Sequence, residues 1–142
     1  MKSHEARCTC GAIRYSFTGE PYTIYACHCT TCQRRTGSAF GLTMIVPASS
    51  IEITQGSTDD VLTKEGQTLQ YCDGCRSLMI LKTSQDTFCI FPGAFEDKTL
   101  FKPVANIWVR SAQPWVYIDS NLKSYQKNPD YSELYRLYKH AS

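Results

Sequence analysis

Cys8-Thr9-Cys10-Gly11-Ala12-Ile13-Arg14-Tyr15-Ser16-Phe17 joins a C-x-C-G knuckle to a run of alternating apolar and polar residues. Ile13, Tyr15 and Phe17 fall on one face of that run, the period of a half-buried strand, so residues 12–17 read as a strand. The pattern recurs. Residues 22–26 read as a strand and enter Cys27-His28-Cys29-Thr30-Thr31-Cys32. Residues 68–71 enter Cys72-Asp73-Gly74-Cys75, and residues 78–81 follow as the next strand. Each cysteine knuckle sits between strands, which predicts a mainly β chain pinned through its thiols.

The rest of the pattern agrees. Residues 40–46 form a strongly apolar run that Pro47 ends, and residues 51–53 stay extended until the turn Gln55-Gly56-Ser57. Residues 87–91 and 104–109 complete the strand set, with Pro92-Gly93 and Lys102-Pro103 as punctuation. Only the C-terminus reads clearly as helix. Asp130 can cap it, Glu133 follows three residues later, and Tyr131, Leu134, Tyr135 and Tyr138 share a face. That helix reads as a packing or homodimer-contact element. The aromatic residues, Trp108 and Trp115 among them, read as core.

With 142 residues the chain suits one domain, residues 1–142. Its fifteen basic and thirteen acidic residues are intermixed, for a net charge of +2, and only Arg34 and Arg35 form a local basic pair. No concentrated basic face marks a nucleic-acid partner, and no apolar run has the length of a bilayer span. The opening Met1-Lys2-Ser3-His4-Glu5-Ala6-Arg7 lacks the apolar stretch of a secretion signal. We therefore expect a soluble cytoplasmic protein without nucleic-acid or membrane partners.

Eight cysteines in a reducing compartment point to metal rather than disulfides. Zinc takes thiolates tetrahedrally, and two short-range pairs from distant segments supply such a set. Cys8, Cys10, Cys72 and Cys75 make one. Gly11 and Gly74 would let the backbone turn around it. A shell closed by four thiolates has no position for substrate, so this site is structural. Cys27, Cys29 and Cys32 form a second cluster with three thiolates, the layout in which water or substrate completes a catalytic zinc. His28 is a weaker candidate ligand because a chelate with its immediate neighbours would be strained. Completion of the cluster by Cys89 or by another chain is the alternative, although Cys89 reads better as a buried strand thiol.

The order C-x-C-G, C-H-C-x-x-C, C-x-x-C resembles the glutathione-dependent formaldehyde-activating enzyme family, the centromere protein V/GFA domain family. The resemblance is carried by Cys8 to Gly11, Cys27 to Cys32, Thr36-Gly37-Ser38-Ala39-Phe40, Cys72 to Cys75, Asn106-Ile107-Trp108-Val109 and Pro114-Trp115. It implies a β-tent fold of twisted antiparallel sheets, a structural zinc on Cys8, Cys10, Cys72 and Cys75, and a catalytic-type zinc on Cys27, Cys29 and Cys32. The chain departs from the family pattern at Arg76, where Gly is usual, and at Asn106, where His is frequent.

The function expected is that of a carbon–sulfur lyase using two zinc ions, with glutathione or another small thiol and a carbonyl compound as substrates. Arg34 and Arg35 are placed to attract a carboxylate of that thiol or to offset the charge of three thiolates. Thr36, Gly37 and Ser38 either donate to the site or form a turn. A non-catalytic zinc module serving protein interaction is the alternative, and redox sensing through Cys27, Cys29 and Cys32 is a third reading.

Overall fold

The computed structural model describes residues Met1–Ala141. Backbone contacts divide the chain into two compact units: Met1–Pro21 with Ile45–Leu100, and Tyr22–Met44 with the residues from Phe101 onward. Strands dominate the first unit, whereas the second combines short strands with two α-helices.

In the first unit, β1 (Ser3–Arg7), β2 (Arg14–Thr18) and β5 (Ile51–Gln55) form a sheet in the order β1-β2-β5, antiparallel throughout. The alternation at Ile13, Tyr15 and Phe17 does what the sequence pattern requires: all three side chains are buried. Tyr15 and Phe17 meet Phe95 edge-on, at ring separations of 6.0 and 6.3 Å, and Ala6 bridges to Phe95 through the backbone. The run β6 (Thr58–Leu62), β7 (Thr68–Cys72), β8 (Leu78–Lys82) and β9 (Thr87–Ile90) is antiparallel, neighbour to neighbour. Leu69, Met79, Ile80, Leu81, Cys89 and Ile90 are its buried apolar side chains, with Gln70 and the knuckle's Cys72 buried beside them.

The second unit is built on β3 (Thr23–Cys27), every residue of which is buried. The strand β4 (Gly41–Pro47) contains the division between the units, and β10 (Ala105–Ile107) and β11 (Lys123–Ser124) belong to the second. Here the antiparallel expectation needs correction, because β10 runs parallel to both β3 and β11. A long intervening chain, rather than a hairpin, brings β10 beside β3, so no tight turn dictates an antiparallel pair.

Two helices flank these strands, α1 (Thr30–Thr36) and α2 (Tyr131–Ala141). Asp130 caps α2 as expected, its carboxylate accepting from the backbone N–H of Ser132 at 3.0 Å. Leu134 is fully buried, Tyr135 stacks on Tyr22 at 5.1 Å, and Tyr131 meets Tyr25 at 6.1 Å. The Thr23 hydroxyl donates to the Leu134 carbonyl at 2.9 Å. The expected face of α2 thus packs on β3 within its own unit. Glu133 does not close a capping box; it pairs with Lys123 at 3.8 Å.

Among the strands and α-helices of the described residues, β1, β6, β11 and α1 escape the sequence pattern. No helix among the described residues is long and apolar enough to cross a membrane.

Candidate metal centres

In the first unit the C-x-C knuckle leads into β2 and the C-x-x-C knuckle begins at the last residue of β7. The Cys8 N–H donates to the Ile13 carbonyl at 3.1 Å and the Gly11 N–H to the Cys8 carbonyl at 3.1 Å. This folds residues 8–13 into a loop that turns both sulfurs to one side. Gly11 makes the turn in the left-handed region, with φ at 81°. Gly74 has no such conformation; a Cβ there would sit 3.6 Å from the Cys10 sulfur and 3.8 Å from that of Cys72. Both are ordinary contact distances, so neither backbone freedom nor space demands glycine at this position.

The four sulfurs of Cys8, Cys10, Cys72 and Cys75 all lie within 4.8 Å of one another. Cys10 Sγ is 3.7 Å from the sulfurs of both Cys8 and Cys72. Zinc–thiolate bonds of about 2.3 Å imply tetrahedral edges of about 3.8 Å, which the two Cys10 distances match, so this donor set suits zinc. None of the eight cysteines is in a disulfide.

Backbone donors already serve thiolates at this centre. Ile13 N–H points at Cys8 Sγ at 3.3 Å, and Cys75 N–H at Cys72 Sγ at 3.5 Å. The Ser77 hydroxyl, 3.2 Å from Cys75 Sγ, leads the contacts that hold the Cys75 thiol down to about 5. A backbone hydrogen bond with Ala12 favours the Cys10 thiolate, but the neighbouring thiols of Cys72 and Cys8 outweigh it and push Cys10 up to about 11. Four thiols packed together cannot all ionise without a cation among them.

The second centre lies in the second unit. Cys27 ends β3, Cys29 is the N-cap of α1, and Cys32 falls in its first turn. Cys29 Sγ accepts from the Cys32 N–H at 3.3 Å, a sulfur doing the work of a capping oxygen. The three sulfurs again lie within 4.8 Å of one another, and no other His, Cys, Asp or Glu described in this unit joins them. His28 is outside the set. Its ring is buried against Phe40, and Nε2 lies 2.9 Å from the Asn106 carboxamide oxygen. Nε2 therefore carries the proton in this contact, and Nδ1 is buried without a hydrogen-bond partner. The substitution at Asn106 leaves a polar group here, bound to the residue between two cysteines.

Cys32 and Cys27 are driven in opposite directions. Cys32 is held down to about 6, chiefly by its hydrogen bond with Cys27 and further by Cys29 and the charge of Arg35, against the cost of burial. Cys27 is pushed up by that same bond and by burial. Arg35 thus acts electrostatically on the cluster, while Arg34 lies beside it in the exposed last turn of α1. Thr36, Gly37 and Ser38 resolve as a turn. Gly37 caps α1 with φ at 69°, its N–H donating to the Gln33 carbonyl at 2.9 Å. The Thr36 hydroxyl is committed to the Cys32 carbonyl at 2.9 Å.

Sequence reasoning missed Gln33. Its side-chain amide donates to the carbonyls of His28, at 2.8 Å, and Ser111, at 2.9 Å, tying α1 to the chain after β10. A polar residue on a short helix carries no pattern that would single it out.

The model of the glutathione-dependent formaldehyde-activating enzyme family matches residues 3–111, most of the chain and both cysteine clusters. The chain belongs to this family. No curated protein matches it significantly in sequence. Among solved structures it is similar to a Rhodobacter sphaeroides protein, at 14% identity and a TM-score of 0.52, over 65% of this chain and 87% of that one. At that identity the likeness concerns the fold alone. Family membership places the cysteine clusters in a zinc-binding, glutathione-related setting.

Proposed function

We propose that this protein is a zinc-dependent carbon–sulfur lyase-type enzyme that breaks, or in reverse forms, the adduct of glutathione or another small thiol with a carbonyl compound. The observation that carries this reading is the contrast between the centres: four converging sulfurs in one, three in the other. Zinc held by Cys27, Cys29 and Cys32 would supply Lewis acidity and lower the pKa of an added thiol.

In the forming direction the thiolate sulfur bonds to the carbonyl carbon, the C=O π pair moves to oxygen, and that oxygen takes a proton. Breakdown reverses each change: the hydroxyl loses its proton, the carbonyl re-forms and the carbon–sulfur pair returns to sulfur. Arg35, whose charge already reaches Cys32, favours the approach of an anionic thiol. The hydrogen bonds of Gln33 and the His28–Asn106 contact hold the cysteine loop against β10, so the sulfurs are positioned before ligand arrives.

The test is to mix zinc-loaded protein with glutathione and a panel of aldehydes and follow adduct formation and breakdown. Acceleration over the uncatalysed rate, lost in Cys32→Ser, is the expected result. No acceleration with any aldehyde would overturn the reading. X-ray absorption reporting four sulfurs at both zincs would instead favour a non-catalytic zinc module.

A further inference from the structure

Pro114-Trp115 belongs to the sequence motif but not to the core. Trp115 is 75% exposed, contrary to its expected packing role. It is nevertheless held in place. Residues 113–116 form a turn closed by the Val116 N–H donating to the Gln113 carbonyl at 3.0 Å, with Pro114 at the position that suits its fixed φ. The indole N–H donates to Gln113 Oε1 at 2.8 Å. Gln113 in turn donates to Gln33 Oε1 at 3.1 Å, and Gln33 donates to the carbonyl of His28, the residue between Cys27 and Cys29.

Three side-chain hydrogen bonds therefore connect an exposed indole to the backbone of the cysteine loop. An aromatic ring left this exposed contributes little burial to folding, yet ordering it costs rotamer entropy. Such an arrangement suits recognition, where a rigid aromatic surface lowers the ordering cost of binding. With its N–H edge tied to Gln113, the indole offers its π face for stacking on a planar apolar group.

Building on the proposed lyase-type function, we infer that Trp115 is a specificity-determining residue of the three-cysteine centre, favouring carbonyl substrates that carry an aromatic or similarly planar group. Arg35 answers to the anionic thiol and Trp115 to the carbonyl partner.

A Trp108→Phe background leaves Trp115 as the sole indole. In this protein loaded with Co(II), the visible absorption bands report ligand at the thiolate centre and indole emission reports contact with Trp115. The probes are glutathione with benzaldehyde and glutathione with acetaldehyde. Both should perturb the Co(II) bands, and only the benzaldehyde mixture should change indole emission. Trp115→Ala should weaken binding of the benzaldehyde mixture about three- to tenfold, the range of a stacked aromatic pair, and leave the acetaldehyde mixture within about twofold. Gln113→Ala should lower indole anisotropy and reduce the preference. If the Co(II) bands respond but Trp115→Ala retains the preference, the inference about Trp115 is wrong while the lyase reading stands. If neither mixture perturbs the bands, the lyase reading fails and this inference fails with it.

Discussion

Arg76 sits at φ 61°, a left-handed conformation that a side chain makes costly and that explains why Gly is usual at this family position. Two contacts offset the strain: an ion pair with Asp59 at 2.6 Å and a stack of the guanidinium over Tyr71 at 5.2 Å. Both are exposed, and exposed ion pairs contribute little. Arg76→Gly should therefore be neutral to stabilising, by about 0–1 kcal/mol in urea unfolding; a loss above about 1.5 kcal/mol would show that the pair outweighs the strain. The acidity of Cys32 yields a second prediction at this scale. A thiol lowered to about 6 stabilises the zinc-free fold at pH values above the ordinary thiol range, a contribution lost as pH falls through about 6. Site-resolved alkylation of zinc-free protein should show Cys32 reactivity falling by half near that pH. Arg35→Gln should move the midpoint upward, and a midpoint near about 8.5 in the parent would contradict the assigned environment.

At the scale of elements, α2 is held by one deep anchor and a ladder of tyrosines. Leu134 has no exposure, and its carbonyl also accepts the Thr23 hydroxyl. Leu134→Ala should cost about 2–5 kcal/mol, measured by urea unfolding, because truncating a fully buried leucine loses its apolar burial and leaves a cavity. The face of this helix was legible from residues 131, 134, 135 and 138, since a 3.6-residue period shows without tertiary context. Helix α1 was not legible. Seven residues, none buried, give no apolar stripe, and the helix is fixed by a cysteine sulfur at one end and Gly37 at the other. The strand β6 escaped for a related reason: Thr58-Asp59-Asp60 is polar, and Val61 and Leu62 are exposed, so its place comes from hydrogen bonding to β7 rather than from a buried face.

For the whole molecule, the two centres should respond differently to metal loss. The four-cysteine set joins residues 8–10 to residues 72–75, and closing that long loop makes metal binding part of folding free energy. Cys72→Ser should lower stability by several kcal/mol and make thermal unfolding sensitive to mild chelation. Cys32→Ser should keep the fold by circular dichroism and lose one zinc per chain. Equal destabilisation by the two substitutions would refute the division into structural and open sites.

The sequence by itself determined the mainly β class, the assignment of cysteines to two clusters and the cap and face of α2. Those features rest on short spacings and strict periods, which survive without knowledge of distant contacts. Only the tertiary structure decided that β10 runs parallel to β3, that His28 answers to Asn106 rather than to metal, and that Trp115 stands out from the surface through Gln113 and Gln33. Each of these joins residues about eighty positions apart or turns on exposure, and neither leaves a local pattern in the chain.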